Sequence, residues 1–337
     1  MQEAQFYTKL ENNKVLCELC PWDCKLKAGQ TGVCKVRTNE NGKLITLVFN
    51  RVAALGTDPI EKKPLYHFYP GKNILSIGEV GCNLHCTFCQ NHTISQCYAS
   101  EFAGFHNINS KKIVNEALKT WNNIGIAYTY NEPITFYEFM LDTAKLAHKN
   151  GLKNVMVSNG YINVEPLKKL LPFIDAFNID LKAFTNEFYL KQTRGKLQPV
   201  LNSLKTIAKS SSHLEITNLI IPTLNDDESE FEKMVIWIAS ELGEQTPLHL
   251  SRYFPQHKMY QPPTSIKKLE TLFEIAKQHL QHVYLGNVSD KKRSATYCAN
   301  CGELLIERNG YRTRIKNLDE KGNCEKCNNG CNILMAR

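Results

Sequence analysis

Thirteen cysteines in 337 residues, gathered in three clusters with Cys97 apart from them, constrain this chain more than any other feature. Its N-terminus, MQEAQFYTKLENNK, lacks the basic-then-apolar pattern of a secretion leader, so a cytoplasmic protein is expected. In that compartment clustered cysteines point to metal binding rather than to a disulfide framework. The tightest cluster is GCNLHCTFCQN, Gly81 to Asn91, which sets Cys82, Cys86 and Cys89 in a C-x3-C-x2-C spacing. Three thiolates this close can wrap one small metal cluster, but a four-iron cubane normally takes four. One iron would then stand open to a reactive small molecule. A zinc loop whose fourth ligand lies elsewhere is the plainer alternative.

The outer clusters are complete by themselves. VLCELCPWDCKLKAGQTGVCKVR carries Cys17, Cys20, Cys24 and Cys34, with Gly29 and Gly32 allowing tight turns. Four thiolates suit tetrahedral zinc, and they suit an auxiliary iron–sulfur cluster equally well. Near the C-terminus, the C-x2-C pairs Cys298/Cys301 and Cys324/Cys327 flank ELLIERNGYRTRI, read as a hairpin with Asn309-Gly310 as a type I′ turn. Paired knuckles joined by a hairpin make a zinc-ribbon-like tail. Cys331 is left over, as a free thiol or a substitute ligand.

Between the clusters the pattern is α/β. GKLITLVFNRVAAL suggests strands, and DPIEKKPLYHFYPG, with Pro59, Pro64 and Pro70, reads as an extended surface linker whose Glu61 and His67 are ordinary surface groups. From Asn73 onward short apolar runs alternate with amphipathic helical stretches, the first helix capped by Ser110. About seven such units predict a partial or near-complete TIM-like (β/α) barrel. The expected domains are a Cys-rich segment and linker over 1–70, the barrel over 71–290 and the tail over 291–337. Polar residues collect at the predicted strand ends: Asn131 and Glu132, Ser158 and Asn159, Asp180 and Lys182, and Arg252. In a barrel those ends converge, beside the cysteine loop that follows the first strand.

The formal charge of +8 is spread along the chain and permits an anionic partner without demanding one. The tail is its most basic part, with ten Lys and Arg against five Asp and Glu over 291–337. No segment reaches the apolar length of a membrane span.

GCNLHCTFCQN resembles the cluster loop of radical S-adenosylmethionine (SAM) enzymes, most of all the pyruvate formate-lyase activating group. TYNEP retains the Glu132-Pro133 of that group's Gly-Gly-Glu-Pro strand end, with Asn131 in place of a glycine. VSNG (Val157 to Gly160), DLK (Asp180 to Lys182), IIPTLNDD and FPQH (Phe254 to His257) are similar to the group's motifs after the third to sixth strands. CELCPWDC, RVAALGTDPIEKKPLYHF and TYCANCGELLIERNGY extend the likeness over nearly the whole chain, to the radical enzyme of the AmmeMemoRadiSam system, named for the AMMECR and Memo protein families.

The resemblance implies that Cys82, Cys86 and Cys89 hold three irons of a 4Fe-4S cluster whose fourth iron chelates the methionine amino and carboxylate groups of SAM. It implies that Glu132 accepts a hydrogen bond from that amino group and that Lys182 pairs with the carboxylate, with Asn131 and Asp180 beside them. Phe88 would face the adenine, and Ser158, Asn159 and His257 the rest of the cofactor. An electron donor such as flavodoxin or ferredoxin would reduce the cluster. The 5′ carbon–sulfur bond would break homolytically, and the adenosyl radical would abstract a hydrogen from a protein or small molecule. Val157 stands where the activating group commonly has an aspartate of a cation site, so that cation is not carried over. Two other readings stay open at this point. One is a radical SAM enzyme that modifies RNA through its basic tail. The other is a non-catalytic metal-binding scaffold.

Overall fold

A computed structural model describes residues 2–336. Its centre is an eight-stranded sheet built from β1 (Ala54–Pro59), β2 (Asn73–Gly78), β3 (Asn123–Tyr128), β4 (Lys153–Ser158), β5 (Ala176–Asp180), β6 (His213–Ile220), β7 (Leu248–Arg252) and β8 (Val283–Gly286). The strands lie in chain order from β1 to β8; β2 to β8 are parallel and β1 runs antiparallel along β2. β1 and β8 form the two edges, so the barrel is open. The expected α/β architecture of about seven units is present. β1 joins Ala54 and Leu55, from the stretch read as strands, to Asp58 and Pro59, from the stretch read as linker, and its pairing from Ala54↔Gly78 to Pro59↔Asn73 makes it part of the sheet. Pro59 is tolerated because it ends an edge strand, where no ladder donor is lost.

Helices α1 (Ser110–Lys119), α2 (Tyr137–Lys149), α3 (Val164–Leu170), α4 (Leu197–Ala208), α5 (Glu228–Leu242) and α6 (Ile266–Lys277) each link successive parallel strands. They cover the sheet, which explains why strands such as β3 and β5 are nearly continuous apolar runs. β3 and β4 approach so closely that a Cβ on Gly125 would stand 1.8 Å from the Lys153 carbonyl oxygen. The α1 cap is Asn109, which accepts from the Lys112 amide at 2.9 Å, and not Ser110 as expected. Ser110 lies inside the first turn and donates to Asp142 at 2.6 Å.

The N-terminal segment forms two small three-stranded antiparallel sheets. It is bound to the barrel by a buried ion pair between Arg37 and Glu138 and by a 2.6 Å hydrogen bond from the Trp22 indole to the Asn83 carbonyl. The tail centres on a hairpin of β9 (Leu304–Asn309) and β10 (Arg312–Ile315). Asn309 pairs with Arg312, so the two loop residues are Gly310 and Tyr311 rather than Asn309 and Gly310. Gly310 at φ +59° takes the first loop position, as in a type II′ turn.

Glu61 and His67 are buried, which corrects their reading as surface linker groups. Glu61 accepts from the Gly71 amide at 2.8 Å and from the Thr313 hydroxyl at 2.7 Å, tying the linker to the tail. His67 bonds Tyr284 at 2.6 Å, Tyr284 bonds Thr296 at 2.9 Å, and Arg308 donates to Thr296 at 2.7 Å. Glu215 on β6 accepts from His213 at 2.9 Å, His249 at 2.6 Å and the His67 amide at 2.8 Å. A buried polar network therefore clamps the tail and linker against the sheet, near the amino ends of its last strands. Among the described residues no helix is long and apolar enough to cross a membrane.

Candidate active site

The cysteine loop leaves the carboxyl end of β2 and is fastened by groups from other strand ends. Asn131, after β3, donates to the Gly81 carbonyl at 2.7 Å and accepts from the Glu79 amide at 3.2 Å. The segment between β5 and α4 receives the His85 and Thr87 amides on the carbonyls of Thr193 and Gln192, each at 2.9 Å. The turn after β7 closes the far side, with the Lys258 amide on the Thr87 carbonyl at 2.9 Å. Gly81 adopts φ +86°, and a Cβ there would lie 2.4 Å from the Cys34 carbonyl oxygen. Glycine is required on both counts.

Donors reach two of the loop sulfurs. The Leu84 amide stands 3.3 Å and the Asn159 side-chain amide 3.7 Å from the Cys82 Sγ, and the Ser95 hydroxyl stands 3.1 Å from the Cys89 Sγ. Burial pushes the Cys82 thiol well up and the Cys86 thiol to about 12, so both would be protonated in the metal-free protein. Metal ligation would displace those protons.

Glu132, only 1 % exposed, stands beside Cys82. One carboxylate oxygen accepts from the Ser158 hydroxyl at 2.7 Å and the Ile134 amide at 3.2 Å, and the other from the Asn159 amide at 2.8 Å. A carboxylate has about four acceptor positions, so one remains. Burial raises its carboxyl to about 7 against the hydrogen bonds that favour the anion. At the Cys86 end, Lys182 pairs with Asp180 at 2.8 Å, and its ammonium lies 5.9 Å from the centre of the buried Phe88 ring. Burial works against the Lys182 charge, but Asp180 and Cys86 outweigh it and hold the group above the ordinary lysine range. His257, in the turn after β7, stacks on His92 at 4.4 Å, beside the end of the loop.

The structure thus brings together all eight residues singled out as cofactor contacts, but it divides their work. Asn131, Ser158 and Asn159 spend their side chains on the protein, on the loop backbone, on Glu132 and on Asn83 with Cys82. Glu132, Lys182, Asp180, Phe88 and His257 keep capacity for a ligand. The sequence reading missed Asn83, which donates to the Tyr161 carbonyl at 2.6 Å and links Asn159 to the N-terminal segment. It also missed Glu79, fully buried with both carboxylate oxygens unpartnered. A charged residue inside the apolar run SIGEVG was the available signal for Glu79; Asn83 had none, because its partners lie on other loops.

The tail cysteines are gathered differently. The Sγ atoms of Cys298, Cys301, Cys324 and Cys327 all lie within 4.8 Å of one another, with Cys298–Cys327 at 3.6 Å and Cys301–Cys324 at 3.7 Å. Cys331 is buried and donates to the Asn329 carbonyl at 3.3 Å, and half-buried Cys97 donates to the Tyr98 carbonyl at the same distance.

An open parallel barrel with a three-cysteine loop after its first parallel strand, facing Glu132 and Lys182, defines a radical SAM enzyme. The Radical SAM superfamily model matches residues 79–238, and the chain belongs to that superfamily. An uncharacterized protein of Methanocaldococcus jannaschii is 44 % identical over 338 residues, 99 % of this chain and 100 % of that protein. A pyruvate formate-lyase-activating enzyme of Listeria monocytogenes is 21 % identical over 46 % of this chain and 64 % of its own length. The crystal structure of a radical SAM methyltransferase from Sphaerobacter thermophilus shares the fold, with a TM-score of 0.51 and 16 % identity over 70 % of this chain and 71 % of that one. The family implies a 4Fe-4S cluster and SAM, and the site fits both. Two of its three sulfurs have N–H or O–H donors, and Glu132 and Lys182 flank the loop.

Proposed function

We propose that this enzyme holds SAM between Glu132 and Lys182, across the three-cysteine loop, and takes a hydrogen atom from a protein or small-molecule substrate in the manner of glycyl-radical-activating enzymes. The observation that carries this reading is the pairing of one open acceptor position on Glu132 with the half-buried, positively charged ammonium of Lys182, one at each end of the loop. When bound, the cluster and SAM supply one-electron homolysis and a 5′-deoxyadenosyl radical. Glu132 receives the amino group, Lys182 the carboxylate and Phe88 the base. Asn131, Ser158 and Asn159 orient these groups, and the buried setting keeps water from the reacting centre. The likeness to a pyruvate formate-lyase-activating enzyme supports a macromolecular substrate, and the motif likeness supports partners of the AMMECR or Memo type with flavodoxin or ferredoxin as donor.

Anaerobic reconstitution followed by a 5′-deoxyadenosine assay under reducing conditions tests the reading, and no cleavage of SAM would sink it. Glu132→Gln should weaken SAM binding about tenfold to a hundredfold, the loss of a charge-assisted hydrogen bond of about 1.5–3 kcal/mol. Because the wild-type carboxyl titrates at about 7, SAM affinity should rise as pH approaches 7 and then level off. The variant should lack that rise. A pH profile unchanged by the substitution would take Glu132 out of the cofactor site.

In the tail, the sulfur spacing supports one structural zinc, since a zinc–sulfur bond of about 2.3 Å makes a tetrahedron with edges of about 3.8 Å. Cys324→Ala should release that zinc and expose the tail to proteolysis while the barrel stays folded. Unchanged zinc content together with unchanged protease resistance would contradict it. The exposed Arg312 and Arg314 on β10 favour RNA as a second substrate class, which steeply salt-dependent RNA binding would reveal.

A further inference from the structure

The three cysteine groups fall into two geometries, and the N-terminal one sides with the radical loop. In the tail, four sulfurs close to the dimensions of a single-ion tetrahedron. Among the described residues no other three Cys, His or acidic ligand atoms all come within 4.8 Å of one another. That holds for Cys82, Cys86 and Cys89, whose thiolates in this superfamily sit on different irons of one cluster. It holds equally for Cys17, Cys20, Cys24 and Cys34.

These four instead line a cavity of about 20 Å³, walled by Leu19, Leu26, Val33 and Ile134. Sulfurs drawn onto one ion at about 2.3 Å leave no such space, whereas thiolates bound to separate irons are held apart by the core they enclose. Cys17 and Cys24 face each other across a hairpin, and Cys20 and Cys34 come from turns. Arg37, 1 % exposed, lines the cavity too, its Nη1 at 3.9 Å from the Cys17 Sγ, a fixed cation beside what would be an anionic core.

We propose that Cys17, Cys20, Cys24 and Cys34 ligate a second iron–sulfur cluster, not a zinc ion, and that this cluster is built directly onto the radical loop. Two contacts make the attachment. The Cys34 carbonyl abuts Gly81, the residue before Cys82, at the closeness that excludes a Cβ. Asn83, the residue after Cys82, lines the cavity and bonds Asn159, which in turn reaches the Cys82 sulfur. The two sites share a wall.

Metal and acid-labile sulfide are to be counted on the full chain, purified and reconstituted without oxygen. Two clusters and one tail zinc predict about eight iron and eight sulfide per chain with about one zinc. The variant Cys82→Ala/Cys86→Ala/Cys89→Ala should keep about half the iron and half the sulfide, all of it at the N-terminal site. Cys20→Ser/Cys24→Ser should also lose about half, while keeping the loop cluster and its SAM-dependent spectral change. About four sulfide and two zinc in the wild-type chain would overturn the proposal without recourse to any variant. A triple loop variant free of sulfide would overturn it as well. If the wild-type chain carries only the N-terminal cluster, and the loop triple variant loses nothing, the active-site reading fails while this one stands.

Discussion

Replacing Cys86 with alanine should abolish 5′-deoxyadenosine formation and the loop's share of the brown iron–sulfur absorbance, in a barrel that remains folded. The loop does not depend on that side chain for its shape. Asn131 holds Gly81, the carbonyls of Thr193 and Gln192 hold His85 and Thr87, and Gln96 donates to the Leu84 carbonyl at 3.2 Å. Losing one sulfur from this frame should cost about 1–2 kcal/mol of stability, the ordinary range for a single substitution. The catalytic loss is of another order. Removing an outer partner of a metal ligand already costs about 10–100-fold, and removing one of only three ligands should exceed that. Product formation by the variant at more than about a hundredth of the wild-type rate would mean that Cys86 is not a ligand.

Glu215→Ala should destabilise the protein by about 3–5 kcal/mol, as when a buried charged group loses its partner. Glu215 is fully buried and binds His213, His249 and the His67 amide, so its removal strands three donors at the place where linker, tail and sheet meet. Burial alone would raise its carboxyl, but the hydrogen bonds from His213 and His249 outweigh burial and hold it well below 4.5. A carboxyl depressed in the folded state contributes stability above its unfolded value, and that contribution is lost as pH falls below it. Burial also holds His67 well below 6.5 and His282 at about 4. For these bases the unfolded chain takes up protons first, so acid destabilises with the same sign. Wild-type stability should therefore decline below about pH 6.5 through the two histidines and keep declining below about pH 4.5 as Glu215 adds its share. The variant should start lower and lack the part that Glu215 adds below about pH 4.5. Chemical denaturation across pH would measure both, and a variant with wild-type stability at pH 7 would remove the clamp from this account.

Much of the site was legible in order along the chain. C-x3-C-x2-C is a local spacing, and the alternation of apolar runs with amphipathic stretches put Glu132, Ser158, Asn159, Asp180 and Lys182 at strand ends without any knowledge of contacts. What spacing did not give is how the side chains in that set divide their hydrogen bonds. Ser158 and Asn159 looked like ligand contacts because they end β4, yet their donors go to Glu132 and the loop. His67 and Glu61 looked like surface groups because Pro59, Pro64 and Pro70 surround them, yet both are buried under the tail. In the hairpin, Asn309-Gly310 has the composition of a type I′ turn, and the cross-strand register moved the turn by one residue.

By itself the sequence determined which residue types could bind metal, how many, and at which strand ends the polar groups would gather, since spacing and periodicity are properties of neighbouring residues. Only the tertiary structure decided how that capacity is used. Sulfur separations, the one open acceptor on Glu132 and the contact of Cys34 with Gly81 depend on loops far apart in the chain packing together. That is why the tail and the N-terminal segment, each with a C-x2-C pair and four well-placed thiols, read alike as sequences and differ in space.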